Sequence, residues 1–220
     1  MVDIFDEVNE DLRAERAKRL MQRYGGLMVG ACVAVIAGVG AWQGWQYWQA
    51  KQDAAAAAAY LASLSTIESS PVLADAQRKV AIAGFDALTT APQDGYRTLA
   101  RLQAAALKAD GGDLPGALAL WDQVAADSGA DPLLRDLASL LWASRQVDAG
   151  DPALLEARLR PLAMPGNNWR SLAQEQLALL LLRQDKTDDA KTALRKLADD
   201  VTAPGGVRGR SRALLDRLGG

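Results

Sequence analysis

The sequence predicts an all-α protein in which a single transmembrane helix near the N-terminus is followed by a solenoid of helical hairpins. Three observations carry that expectation. Alanine and leucine dominate while β-branched residues are sparse outside one apolar stretch, a composition that favours helix over sheet. Residues 25–42 carry no charge and no side chain more polar than a thiol, and as a helix they would extend about 27 Å, close to the hydrocarbon thickness of a bilayer. Further along, the small residues Ala105, Ala138 and Ala178 stand 33 and then 40 residues apart, the period of a helix–turn–helix solenoid.

The 220 residues leave room for an anchor and one domain of about 170 residues. A net charge of −2 makes no electrostatic case for nucleic acid. Histidine is absent and Cys32 is the one cysteine, which excludes an internal disulfide, a Cys/His zinc cluster and every Ser–His or Cys–His nucleophile pair. No catalytic residue, cofactor or metal site is expected.

Residues 1–24 are charge-segregated. Asp3, Asp6, Glu7, Glu10, Asp11 and Glu15 come first and Arg13, Arg16, Lys18, Arg19 and Arg23 follow, while Ile4, Val8, Leu12 and Leu20 recur at helical spacing. The segment reads as an amphipathic helix, either solvated with its basic end on anionic headgroups or presenting a docking face to a partner.

Residues 25–48 form the expected anchor. Basic residues precede it, whereas the first one after it is Lys51, so the positive-inside rule puts residues 1–24 in the cytoplasm and the rest on the far side. Trp42, Trp45, Tyr47 and Trp48 suit the far interface and Tyr24 the near one. Gly26, Gly30, Ala34 and Gly38 fall four residues apart, a stripe of small side chains along which a second helix, from a partner or another copy, can approach closely. Three rivals fit less well. A cleaved signal peptide would have a shorter apolar region and a small-residue cleavage site; the lipoprotein-like run Val29-Gly30-Ala31-Cys32 has too few apolar residues before it; a buried helix would not carry one-sided charge and a tryptophan cluster.

Residues 51–66 are alanine-rich and predict a helix continuing from the span. Ser69-Ser70-Pro71 stops it, residues 72–90 predict a second helix with Val80, Ala83, Phe85 and Leu88 inward, and Ala91-Pro92-Gln93-Asp94-Gly95 makes a turn. Three helix pairs follow. The clearest has Leu177, Ala178 and Leu181, a turn over Asp185 to Asp188, then Ala190, Leu194 and Leu197, with Pro204 beyond. An earlier one has Ala104 and Ala105, the turn Gly111-Gly112-Asp113, then Ala117, Trp121 and Val124, with Pro132 beyond. Between them lie Leu137, Ala138 and Leu141, the turn Ala149-Gly150-Asp151, Pro152, then Ala153, Leu155 and Leu159, and an extended segment at Met164-Pro165-Gly166-Asn167-Asn168. A small residue on each helix permits a close crossing and larger apolar residues fill the space beside it. Over residues 96–204 the pattern resembles the tetratricopeptide repeat, although the tryptophan and tyrosine favoured on the first helix are replaced. Residues 208–218 predict a capping amphipathic helix with Leu214, Leu215 and Leu218 inward, after a hinge or turn at Pro204-Gly205-Gly206.

Asp110, Asp113, Asp148 and Asp151 sit where turns and helix caps need aspartate, and Trp121, Trp142 and Trp169 read as packing residues. What remains is a binding surface. By register Glu175, Leu179, Leu182 and Arg183 face the concave side, where solenoids hold an extended peptide or partner helix.

The order of a charge-segregated start, one anchor with tryptophans at its exit and degenerate hairpins resembles the bacterial ancillary Sec translocon subunits. The resemblance is carried chiefly by Phe5-Asp6-Glu7-Val8, Arg19, Gly25-Gly26 and Trp45-Gln46-Tyr47-Trp48-Gln49. It implies a single-pass bacterial inner-membrane protein with residues 49–220 in the periplasm. It further implies a non-catalytic adaptor whose partners are translocon subunits, periplasmic chaperones or exported chains. A scaffold for envelope or cell-division assembly is the alternative.

Overall fold

The computed structural model describes residues 4–68 and 74–219, and among residues 4–20 it describes only one side chain, that of Lys18. The described residues form nine α-helices and no strand. They are α1 (Ile4–Glu68), α2 (Asp75–Asp86), α3 (Asp94–Asp110), α4 (Leu114–Ala126), α5 (Pro132–Ser144), α6 (Pro152–Leu162), α7 (Arg170–Arg183), α8 (Thr187–Asp199) and α9 (Gly205–Arg217). The chain divides into two compact units, Met1–Ala55 and Ala56–Gly220.

The first unit is the leading part of α1. Its backbone is helical from Ile4, as the spacing of Ile4, Val8 and Leu12 predicts, while the segregated acids before Lys18 lie outside the described side chains. Within Met21–Glu68 the helix is long and apolar enough to cross a membrane. Its apolar side chains stand open: Leu27, Ile36 and Trp42 are 71, 72 and 64% exposed. Such a surface is unfavourable in water and suited to lipid. Trp45 and Trp48 meet in a tilted pair at 5.7 Å between ring centroids, and the Arg23 guanidinium lies 5.8 Å from the Tyr24 ring.

The second unit begins with the last turns of α1, so the alanine-rich stretch does continue the helix, through Glu68. The expected stop at Ser69-Ser70-Pro71 lies outside the described residues. Tyr60 packs edge-on against Phe85 and contacts Tyr96, at centroid distances of 5.4 and 6.1 Å. This docking sets the inward face of α2 as Ala81 and Phe85, continued by Leu88. Val80 is 63% exposed and Ala83 is exposed too, contrary to the periodicity reading. Gly84 permits the close approach, since a Cβ there would lie 2.3 Å from Ser63 Oγ.

Helices α3 to α8 form three antiparallel pairs, each packed on its neighbours in sequence. The crossings are made by alanines: Ala104, Ala105, Ala117, Ala138, Ala178 and Ala190 are completely buried. Trp121 and Val124 on α4, Leu155 and Leu159 on α6, and Leu194 and Leu197 on α8 fill the space beside them. Ala153 is exposed instead, because Asp151 and Pro152 start α6 there and turn Leu155, Leu159 and Leu162 inward. Asp-Pro punctuation recurs: Asp113, Asp131 and Asp151 cap α4, α5 and α6 by accepting from the backbone N–H of Gly116, Leu133 and Ala153, each with proline in the first turn.

The run 164–168 is a chain of turns with Gly166 at φ +91°, not the extended segment expected. It is tied down. Asn167 Nδ2 donates to Asp136 Oδ2 at 2.7 Å, and Trp169 Nε1 donates to the Leu133 carbonyl at 3.0 Å. The last helix starts at Gly205 rather than Arg208, so Gly205 and Gly206 are its first turn and no hinge. Asp200 makes the actual turn by accepting from the Thr202 N–H at 2.8 Å, and Pro204 presets the entry to α9.

Candidate protein-binding groove

Helix α7 packs between α8, the second helix of its own pair, and α9, which takes the first-helix place in the following pair. Between α7 and α9 runs a groove of about 510 Å³. Its α7 wall is Leu172, Glu175, Gln176 and Leu179, and its α9 wall is Arg210, Ala213, Leu214 and Arg217. Each set has the spacing i, i+3, i+4, i+7, one stripe down one face of a helix.

Two of the four residues expected on the binding face meet here. Leu179 is half-buried in the floor. Glu175 is 3% exposed and held by a two-pronged pair: Arg210 Nε and Nη2 donate to its two carboxylate oxygens, each at 2.6 Å. That hydrogen bonding raises the guanidinium pKa above its ordinary value, so Arg210 is fixed as a cation. Leu182 and Arg183 lie outside the groove lining. Arg183 reaches the preceding pair, where Nη1 and Nη2 donate to the carbonyls of Val147 and Gly150 at 2.7 and 2.5 Å. In the first unit Gly26, Gly30, Ala34 and Gly38 are exposed, and nothing stands within 4 Å of where a Cβ would sit on Gly26, Gly30 or Gly38.

The tryptophans serve packing. Trp121 is enclosed, and Trp142 donates Nε1 to Asp122 Oδ2 at 3.1 Å while Arg158 lies 4.0 Å above its ring and also binds Asp122. A repeated ion pair escaped the sequence reading. Arg97 and Arg101 on α3 bind Asp127 just after α4, and Arg170 on α7 binds Asp200 just after α8. In both copies the aspartate also accepts from the N–H two residues on, Gly129 or Thr202. Arg97–Asp127 and Arg170–Asp200 have the same separation of 30 residues. The signal was available as an arginine early in a first helix and an Asx turn after its second. Among the described residues, no group of three or more His, Cys, Asp or Glu side chains is arranged to hold a metal ion.

Antiparallel pairs crossed through alanine and stacked on their sequence neighbours define a helical-hairpin repeat protein, a class whose exposed helix faces bind other proteins. The chain belongs to the tetratricopeptide repeat-like domain family, whose profile matches residues 18–193. The match takes in the apolar span and ends within α8. No curated protein and no solved structure matches the chain. A tetratricopeptide repeat-like domain is a protein-interaction scaffold, which agrees with the expected fold and with protein binding in general.

Proposed function

We propose that this protein is a single-pass, non-catalytic adaptor of the bacterial inner membrane, working beside the Sec translocon and with periplasmic chaperones in protein export. Residues 1–24 are its cytoplasmic segment, residues 25–48 its membrane span and residues 49–220 its periplasmic binding domain. The observation that carries the reading is one chain joining an uncovered apolar helix of spanning length to a protein-binding repeat domain. The basic residues before the span and the tryptophans after it support the orientation. Gly26, Gly30, Ala34 and Gly38 are the face offered to a channel helix or a second copy. Glu175, Leu179, Leu182 and Arg183 mark the helix offered to soluble partners.

Photo-crosslinking in intact cells, with probes at Gly30 and Leu179, tests it. Crosslinks from Gly30 to channel subunits and from Leu179 to chaperones or newly exported chains are expected. Capture of only division or wall-assembly proteins at both positions replaces the translocon adaptor with an envelope scaffold.

A further inference from the structure

We propose that the groove between α7 and α9 receives a short amphipathic helix of a partner protein, one that brackets a pair of adjacent apolar side chains with carboxylates seven residues apart. This specifies the partner chemistry of the site and rests on the protein-binding reading above.

Arg210 and Arg217 stand two helical turns apart on one face of α9, about 10 Å along its axis. Ala213 and Leu214 lie between them, and Leu172 and Leu179 face them from α7. The groove is therefore an apolar trough with a cation at each end. Both cations are open to a ligand. The Arg210 side chain is 56% exposed, and Glu175 takes Nε and Nη2, which leaves Nη1 with no acceptor among the described residues. Arg217 is exposed and makes no ion pair among the described residues. Glu175, the one acid in the lining, is buried and neutralises Arg210, so the uncompensated charge of the rim is that of Arg217, while Arg210 adds a charged N–H donor at the other end. Helix α9 as a whole carries Arg208, Arg210, Arg212 and Arg217 against Asp216 alone. A basic helix beside an apolar floor selects acidic flanks around an apolar centre. A carboxylate at each end of two helical turns meets both guanidinium groups while the intervening apolar pair fills the trough.

The test uses the full chain in lipid nanodiscs and a fluorescent helical peptide of about four turns. The peptide carries Glu at i and i+7 around Leu at i+3 and i+4, and a control carries Lys at both Glu positions. Anisotropy titration is expected to show the Glu peptide binding at least about tenfold more tightly. Arg217→Glu, at an exposed position with no ion pair among the described residues, is expected to keep the helical circular dichroism and abolish most of that preference. Equal binding of the two peptides, no binding of either, or indifference to Arg217→Glu overturns the proposal. So does ultracentrifugation showing a second copy of the chain that occupies the groove and is released by Arg217→Glu. The two readings fail differently. Crosslinks at Leu179 that persist unchanged in Arg217→Glu remove the groove assignment alone, whereas loss of partner crosslinks across the whole repeat domain removes the adaptor.

Discussion

At the scale of single residues, Glu175 is the one charged side chain among the described residues that is buried outright, and its only partner is Arg210. Arg210→Met would leave a carboxylate withdrawn from water with no donor, and we expect a loss of about 2 kcal/mol in urea denaturation. The double variant Glu175→Leu/Arg210→Met should recover most of it. A pair spanning 35 residues could not be read from the sequence, because it depends on how α9 is rotated against α7. The caps Asp113 and Asp151 were readable, because their partners lie two or three residues away. Asp127 and Asp200 have carboxyl groups held below the usual range. For Asp127 the cause is the Gly129 N–H and then Arg97 and Arg101; for Asp200 it is the Thr202 hydroxyl and N–H and then Arg170. A depressed folded-state value means that the stabilisation is complete above the unfolded-state value of about 4 and fades as pH falls through the lower folded value. Thermal melts should therefore weaken below about pH 4, and the double variant Asp127→Asn/Asp200→Asn should flatten that dependence. An unchanged slope would remove both groups from the acid response.

At the scale of elements, the turn after α3 and the turn after α7 are the same structure built from different residues. Asp113 N–H donates to the Lys108 carbonyl and Lys186 N–H to the Leu181 carbonyl, and between them Gly112 at φ +87° and Asp185 at φ +59° occupy the left-handed position. Glycine takes that conformation freely and aspartate does not, so Asp185→Gly is expected to stabilise the domain by about 0.5–1 kcal/mol in the same denaturation assay. A loss of stability would show that the Asp185 side chain has a role of its own. Helix existence was legible throughout, since alanine-rich periodic runs and Asp, Gly and Pro punctuation are local signals. Inward faces were less so. Val80 and Ala83 have the right spacing, but Tyr60 and Ser63 on α1 decide which side of α2 is covered, and that contact is tertiary. Gly205-Gly206 looks like a break because glycine is a poor helix former, yet Asp200 and Pro204 complete the turn before it is reached.

At the scale of the whole molecule, composition pointed to an all-helical protein and the spacing of Ala105, Ala138 and Ala178 to repeats, and the groove followed only in part. Glu175 and Leu179 could be placed by register on one helix, but the opposing wall belongs to α9, whose basic stripe gains meaning only once it lies beside α7. The apolar core of the repeat domain is not uniform either. A large cluster runs from Ala81 through Leu180 and takes in helices α2 to α7, while Ala178, Leu194, Ala198 and Leu215 form a separate small one. Nearest-neighbour packing of this kind lets one end of a stack open without the rest. The α8–α9 end should thus behave as its own cooperative unit, with amide protons that exchange with solvent sooner than those of α3 to α5. The wall that carries Arg210 and Arg217 would then be the part of the domain most readily set loose, and an occupant of the groove would act as a splint, slowing exchange at that end first.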